Sequence, residues 1–139
     1  MSHKLSPEEQ EIVETFALFD DPMDKYEHII ENASDLEPLE DIYKTDEFIV
    51  KGCQSKVWLR AYKEEDKIFF QADSNTVITK GIIALLVKVL SGNKPEVIIN
   101  HPLSFIDKID LKGHLSSQRS NGLTAMIQKM KAYAEFLSK

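Results

Sequence analysis

The chain has one cysteine in 139 residues, Cys53, and that scarcity excludes a good deal. A lone thiol can neither close an intramolecular disulfide nor supply the several thiolates of a zinc or iron–sulfur site, which leaves packing or thiol chemistry. Long hydrophobic runs are missing too: the longest uncharged one, residues 82–87, is far too short to span a bilayer, so no membrane role is expected. The segment from Met1 to Glu9 has no apolar stretch of the kind a secretory signal needs, and the ending Phe136-Leu137-Ser138-Lys139 carries no lipidation box. An excess of basic residues is also lacking. Lysine and arginine total 17 against 23 acidic residues, a net charge of −6, and nucleic-acid binding needs a concentrated basic face. A protein or small-molecule partner is expected instead, in a reducing compartment that keeps one thiol free, read as the cytoplasm. With 42% hydrophobic and 29% charged residues the composition is that of an ordinary globular protein, and residues 1–139 are expected to form a single domain.

Helix signals open the chain. Ser6-Pro7-Glu8-Glu9 offers a capping serine, a proline pre-set for the first turn and a glutamate placed to reach back, followed by Ile12, Val13, Phe16 and Phe19 on one face. Asp20-Asp21-Pro22 stops this helix and starts another, with Met23, Tyr26, Ile29, Ile30 and Ala33 expected on its buried side. The acidic stretch from Asp35 to Asp46 reads as an irregular connection with one turn of helix. Phe48-Ile49-Val50, residues 56–62 and residues 67–72 read as strands. Glu64-Glu65-Asp66 then turns a hairpin, and residues 52–55 form the first connection. Residues 76–90 read as a helix that is apolar almost all round, residues 94–112 as short helices, and the spacing of Leu123, Met126, Ile127, Met130, Ala134 and Leu137 predicts a final long helix. The expected fold class is α+β: a three-stranded antiparallel meander with helices packed on one face.

Cys53 falls at the tip of the first connection, in Lys51-Gly52-Cys53-Gln54-Ser55-Lys56-Val57-Trp58. Gly52 lets the chain turn sharply and point free amide hydrogens at the next side chain, and Lys51 and Lys56 add positive potential; both would pull a reachable thiol from about 8.5 towards neutrality. The alternative is an inward-facing cysteine acting as a small hydrophobe, with solvated lysines beside it. A cysteine hydrolase would need a histidine base. His3 sits near the terminus and His28 on a helix, so His101 and His114 are the candidates, and none falls in a catalytic motif. Transfer between sulfurs needs no metal, cofactor or oxyanion hole on this chain.

Gly52-Cys53-Gln54-Ser55-Lys56-Val57-Trp58 resembles the Gly-Cys-Gln-Ser-x-Val-Trp signature of the SufE sulfur-acceptor proteins. Asp73-Ser74, Lys80-Gly81-Ile82-Ile83-Ala84 and the block Leu115, Arg119-Ser120, Gly122-Leu123, Ala125-Met126 agree with further family segments in order and spacing. The resemblance implies that a SufS-type, pyridoxal-phosphate-dependent cysteine desulfurase delivers persulfide sulfur to Cys53. The sulfur would pass on to an iron–sulfur scaffold such as SufBCD, and the carrier would relieve the desulfurase of its product. The cofactor would belong to the partner, so this chain need bind none. The resemblance also implies a cysteine tucked against apolar side chains at rest. Such shielding protects a persulfide from cytosolic thiols, and Cys53 must then swing outward about Gly52 when the donor docks, with Gln54 and Ser55 holding the loop by hydrogen bonds. Arg119 would face the cysteine loop; its bland alternative is an exposed charge at a helix start. The free protein is expected as a monomer or weak homodimer. A second reading, from another class, is a single-thiol redox sensor or regulatory binding module.

Overall fold

The computed structural model describes residues 5–139. Helix α1 (Pro7–Ala17) starts as the sequence dictates: Ser6 Oγ accepts the Glu9 N–H at 3.2 Å, and Glu9 Oε1 accepts the Ser6 N–H at 3.1 Å. Glu9 is only 2% exposed, because its other oxygen accepts the Phe105 N–H at 3.0 Å and so ties α1 to the distant C-terminal half. Asp21 caps helix α2 (Pro22–Glu31) by accepting the Met23 N–H. Ile29 on this helix is fully buried, whereas Met23, expected in the core, is 61% exposed. Capping fixes where the helix starts and does not decide which of its residues meet the core.

The sheet has two strands rather than three, β1 (Val57–Glu64) and β2 (Lys67–Ser74), antiparallel from Val57↔Ser74 to Glu64↔Lys67. Residues 48–50 supply only a bridge, Ile49↔Trp58, with the Val50 N–H donating to the Val57 carbonyl. The cause lies just upstream. Asp46–Phe48 closes a 3-10 turn, and the Ile49 N–H is spent on the Asp46 carbonyl instead of on a ladder. Alternation buries Val57, Leu59, Ile68, Phe70 and Ala72 on one face. On the other, the Arg60 guanidinium stacks between the rings of Tyr43 and Tyr62, and Arg60 donates to Gln71 Oε1 at 2.7 Å. Part of the segment joining α2 to β1 thus covers that outer face.

Helix α3 (Val77–Leu90) is the buried one, with only Val77 among its apolar residues well exposed. It crosses α2 at Gly81, where a Cβ would run into the Ile29 backbone, its carbonyl carbon only 2.8 Å away. The short helices α4 (Pro95–Ile99) and α5 (Phe105–Lys108) lead to α6 (Ser117–Leu137), capped by Ser116 Oγ accepting the Arg119 N–H. Helix α6 packs on α4, α3 and β1, with Leu123, Met126, Met130 and Ala134 turned inward. No helix among the described residues is long and apolar enough to cross a membrane.

Candidate functional site

The bridge at Val50 and the start of β1 hold the two ends of a short loop, with Cys53 near its middle. Gly52 takes φ +96°, a region that L side chains rarely adopt, and a Cβ there would stand 3.3 Å from the Ala125 Cβ on α6. Glycine is therefore favoured by the turn, and the tight approach to the helix adds to that preference. Beyond it the chain is pinned to the open end of the hairpin. The Lys56 N–H donates to Asn75 Oδ1 at 3.0 Å, and the Ser74 hydroxyl donates to the Lys56 carbonyl at 2.8 Å.

The Cys53 thiol points down onto α6, where Sγ donates to the Gly122 carbonyl at 3.6 Å. Gly122 lacks the side chain that would fill this place: a Cβ there would sit 3.4 Å from Sγ. Ser55, Thr79, Ile82, Gln118, Arg119 and Met126 line the recess around it. What free space remains is about 10 Å³, on the scale of a single water. Cys53 is half-buried, and that burial pushes its thiol pKa up. The expected pull towards neutrality is not realised at rest: Lys51 and Lys56 are exposed, and donation of the S–H to a carbonyl favours the neutral thiol. Ser55 Oγ accepts the hydroxyls of Thr76 at 3.0 Å and Thr79 at 3.3 Å, so the loop is tied to the first turn of α3. Gln54, though exposed, lines the recess, as does Arg119.

Asp73 forms a second cluster next to this tether. Burial raises its pKa, but hydrogen bonds from Lys44, the Ser74 N–H and Lys80 outweigh that and hold the carboxyl below the usual range. The ammonium groups lie 3.0 Å (Lys44) and 3.3 Å (Lys80) from it. The histidines go elsewhere. His101 accepts the Leu103 N–H through Nδ1 and turns Nε2 towards Glu9 Oε1 at 3.7 Å; His28 packs on Phe16 and Phe19; His114 lies beside Tyr26. His3 lies outside the described residues. Among the described residues no histidine lines the recess, so a hydrolase reading lacks its base, and no cluster suited to a metal ion occurs. Thr76, Thr79, Ile82 and Gln118 were not singled out as site residues from the sequence. The signal for Gln118 was present: residues 118, 122 and 126 recur at four-residue steps, with Arg119 three before Gly122, and so share one face of α6.

The model of the SufE family, described as an Fe-S metabolism associated domain, matches residues 10–134. The chain is 40% identical over 132 residues to SufE-like protein 1, chloroplastic/mitochondrial, of Arabidopsis thaliana, covering 94% of this chain but 36% of that protein. It therefore spans about a third of that relative. An uncharacterised SufE-like protein of Rhizobium meliloti is 35% identical over 130 residues, 90% of this chain and 93% of that one. The solution structure of a hypothetical protein from Thermus thermophilus superposes with a TM-score of 0.78 over 96% of this chain and 98% of that one; at 20% identity the likeness speaks for the fold alone. A match over nearly the whole length, with the α+β architecture to accompany it, makes this chain a member of the SufE family of Fe-S metabolism.

Proposed function

We propose that this chain is a sulfur acceptor and carrier, acting as a single domain over residues 1–139. Cys53 takes sulfur from a SufS-type cysteine desulfurase and hands it to an iron–sulfur scaffold of the SufBCD kind. The observation that carries the reading is the seating of Cys53 on a glycine-hinged loop, with Sγ lodged against Gly122 in a recess that has little room to spare.

The chemistry follows from thiol exchange. The Cys53 thiolate attacks the terminal sulfur of the donor's cysteine persulfide; the donor S–S bond breaks, the Cys53 Sγ–S bond forms, and the donor cysteine leaves as a thiolate. Charge and oxidation level balance without an external oxidant. The proton that Cys53 must lose goes to solvent once the loop swings out, because burial at rest holds the thiol protonated. Folded back, the loop would shield the new terminal sulfur from competing thiols; beside Sγ the space is close to one atom's worth. Gly52 is the hinge, while Ser55, through Thr76 and Thr79, holds the closed state. Arg119, which lines the recess, would meet the negative charge of a persulfide anion. The pyridoxal phosphate stays with the donor.

The test is steady-state cysteine turnover by a SufS-type desulfurase with increasing amounts of this protein. Stimulation by the wild type, and none by Cys53→Ser, is expected. Equal stimulation by both would remove Cys53 from the mechanism. No stimulation, together with rapid peroxide oxidation of Cys53, would favour the redox-sensor reading.

A further inference from the structure

Gly122 sits within the 21-residue helix α6, where glycine is a poor helix former and alanine the best one. The resting thiol does not explain that choice. A Cβ on Gly122 would meet Cys53 Sγ at 3.4 Å and the Cys53 Cα and Cβ at 3.8 Å, all ordinary van der Waals contacts, so alanine fits against the loop while Sγ carries only hydrogen. What alanine would take up is the free space beside Sγ, about 10 Å³, a site for one water. A sulfur added to Sγ needs that space. It cannot follow the S–H bond: Sγ lies 3.6 Å from the Gly122 carbonyl oxygen, and an S–S bond of about 2.05 Å along that line would run into it. The added atom has to turn aside into the recess that Gly122 lines together with Ile82, Gln118 and Met126. Sulfur is somewhat larger than water, and Met126, an unbranched side chain that repacks easily, yields the difference.

We infer that the recess covers one sulfur atom beyond Sγ and no more, with Gly122 setting the limit, so that this carrier keeps a single sulfane sulfur and leaves any longer polysulfide chain unprotected. The inference rests on the sulfur-acceptor reading and adds to it the cargo that the site takes: a monopersulfide rather than a polysulfide. Space decides it. A second sulfur finds no room beside the first, so it stands in water or holds the loop open, and in either case a small thiol reaches it. The thiolate attacks the outermost sulfur, the S–S bond behind that sulfur breaks, the small thiol becomes a persulfide, and the shortened chain on Cys53 leaves as a persulfide anion. Sulfur and charge balance without another reactant. Trimming stops when one sulfur remains, because that one lies within the recess and is reached only when the loop opens.

The experiment loads Cys53 chemically with sodium tetrasulfide, removes the excess, adds glutathione and follows the ladder of added sulfurs by intact mass. In the wild type, chains of two or more added sulfurs are expected to shorten quickly to one, and the last sulfur to persist about tenfold longer or more. Gly122→Ala, which gains helix propensity and is expected to stay folded, should lose its last sulfur as fast as the outer ones. Ile82→Val removes a methyl from another wall of the recess and is expected to lengthen the lifetime of the second sulfur several-fold. Equal lifetimes of the first and second sulfurs in the wild type, an undiminished first one in Gly122→Ala, or an unmoved second one in Ile82→Val overturns the one-sulfur limit. Because the loading uses no desulfurase, each of these results leaves the carrier reading intact. A wild type that shows the ladder but takes nothing from a charged SufS-type desulfurase overturns the carrier reading instead, and one that takes no sulfur from tetrasulfide either overturns both.

Discussion

Removing the Ser55 hydroxyl tests the proposed latch on Cys53. Ser55 Oγ is the common acceptor for the hydroxyls of Thr76 and Thr79, at 3.0 and 3.3 Å, and these are the side-chain bonds between the loop and α3. In Ser55→Ala both are lost. A neutral hydrogen bond contributes about 0.5–1.5 kcal/mol net, and Thr79, only 5% exposed, is left with a buried hydroxyl. Thr76 is part-exposed and recovers a bond to water, which places the total for the pair at about 1–2 kcal/mol. The open loop never had these bonds, so the whole difference falls on the closed state. At about 1.4 kcal/mol per factor of ten, the open population rises about five- to thirtyfold. Cys53 is only half-buried, so alkylation at rest sets a floor, and the second-order alkylation rate, followed by intact mass at fixed pH, is expected to rise by up to that factor. The backbone bonds at Lys56 remain, and the melting temperature is expected to move by only a few degrees. A rate within twofold of wild type would show that the hydroxyl trio does not hold the loop, and the latch would have to be sought in the Gly122 contact.

Three further outcomes follow from the same geometry. Burial raises the Cys53 pKa, so the pH midpoint of alkylation is expected above that of a free cysteine and to fall back in denaturant. The neutral thiol's contribution to stability is fully present below the unfolded pKa and is lost as pH rises through the folded one; a midpoint at or below the free value would contradict the buried seat. Asp73 is shifted the opposite way, so its contribution is present above the unfolded carboxylate range and lost as pH falls through the lowered folded value. Asp73→Asn is expected to cost about 1 kcal/mol at neutral pH and to flatten the acid limb of a stability-versus-pH curve, and an unaltered limb would count against the Lys44–Asp73–Lys80 cluster. Gly81→Ala gains up to about 1 kcal/mol of helix propensity but forces α3 off the Ile29 backbone, for a net loss of about 2 kcal/mol by denaturant titration. A more stable Gly81→Ala would mean that the two helices do not cross there.

Helix starts were the most legible part of the fold, because a cap is a local device. Ser6 with Glu9, and Asp21 before Pro22, do in space what their spacing announces. Tertiary consequences were not local and did not show. Nothing around Glu9 says that its second oxygen will bind Phe105, nearly a hundred residues away, nor that the Ile49 N–H will be taken by Asp46 and reduce an apolar triplet to a single bridge. Met23 has helical spacing but ends outside the core. At the site, the turn at Gly52 was readable from the loop motif, and Arg119, singled out through the resemblance, lines the recess. Thr79 and Ile82 were hidden in what read as a plain apolar helix, because only packing brings the first turn of α3 against the loop. The thiol's environment stayed open between two readings for the same reason: neighbouring lysines are visible in sequence, while the recess against Gly122 is not.

The central claim is that Cys53 accepts sulfur, and a single-turnover transfer tests it most directly. A SufS-type desulfurase is charged with persulfide, freed of cysteine, mixed with this protein and with Cys53→Ser in parallel, and both acceptors are read by intact mass. The account predicts one added sulfur atom on the wild type, removable by reductant, and none on the variant. An unmodified wild type beside a discharged desulfurase, or equal labelling of the variant, would contradict it.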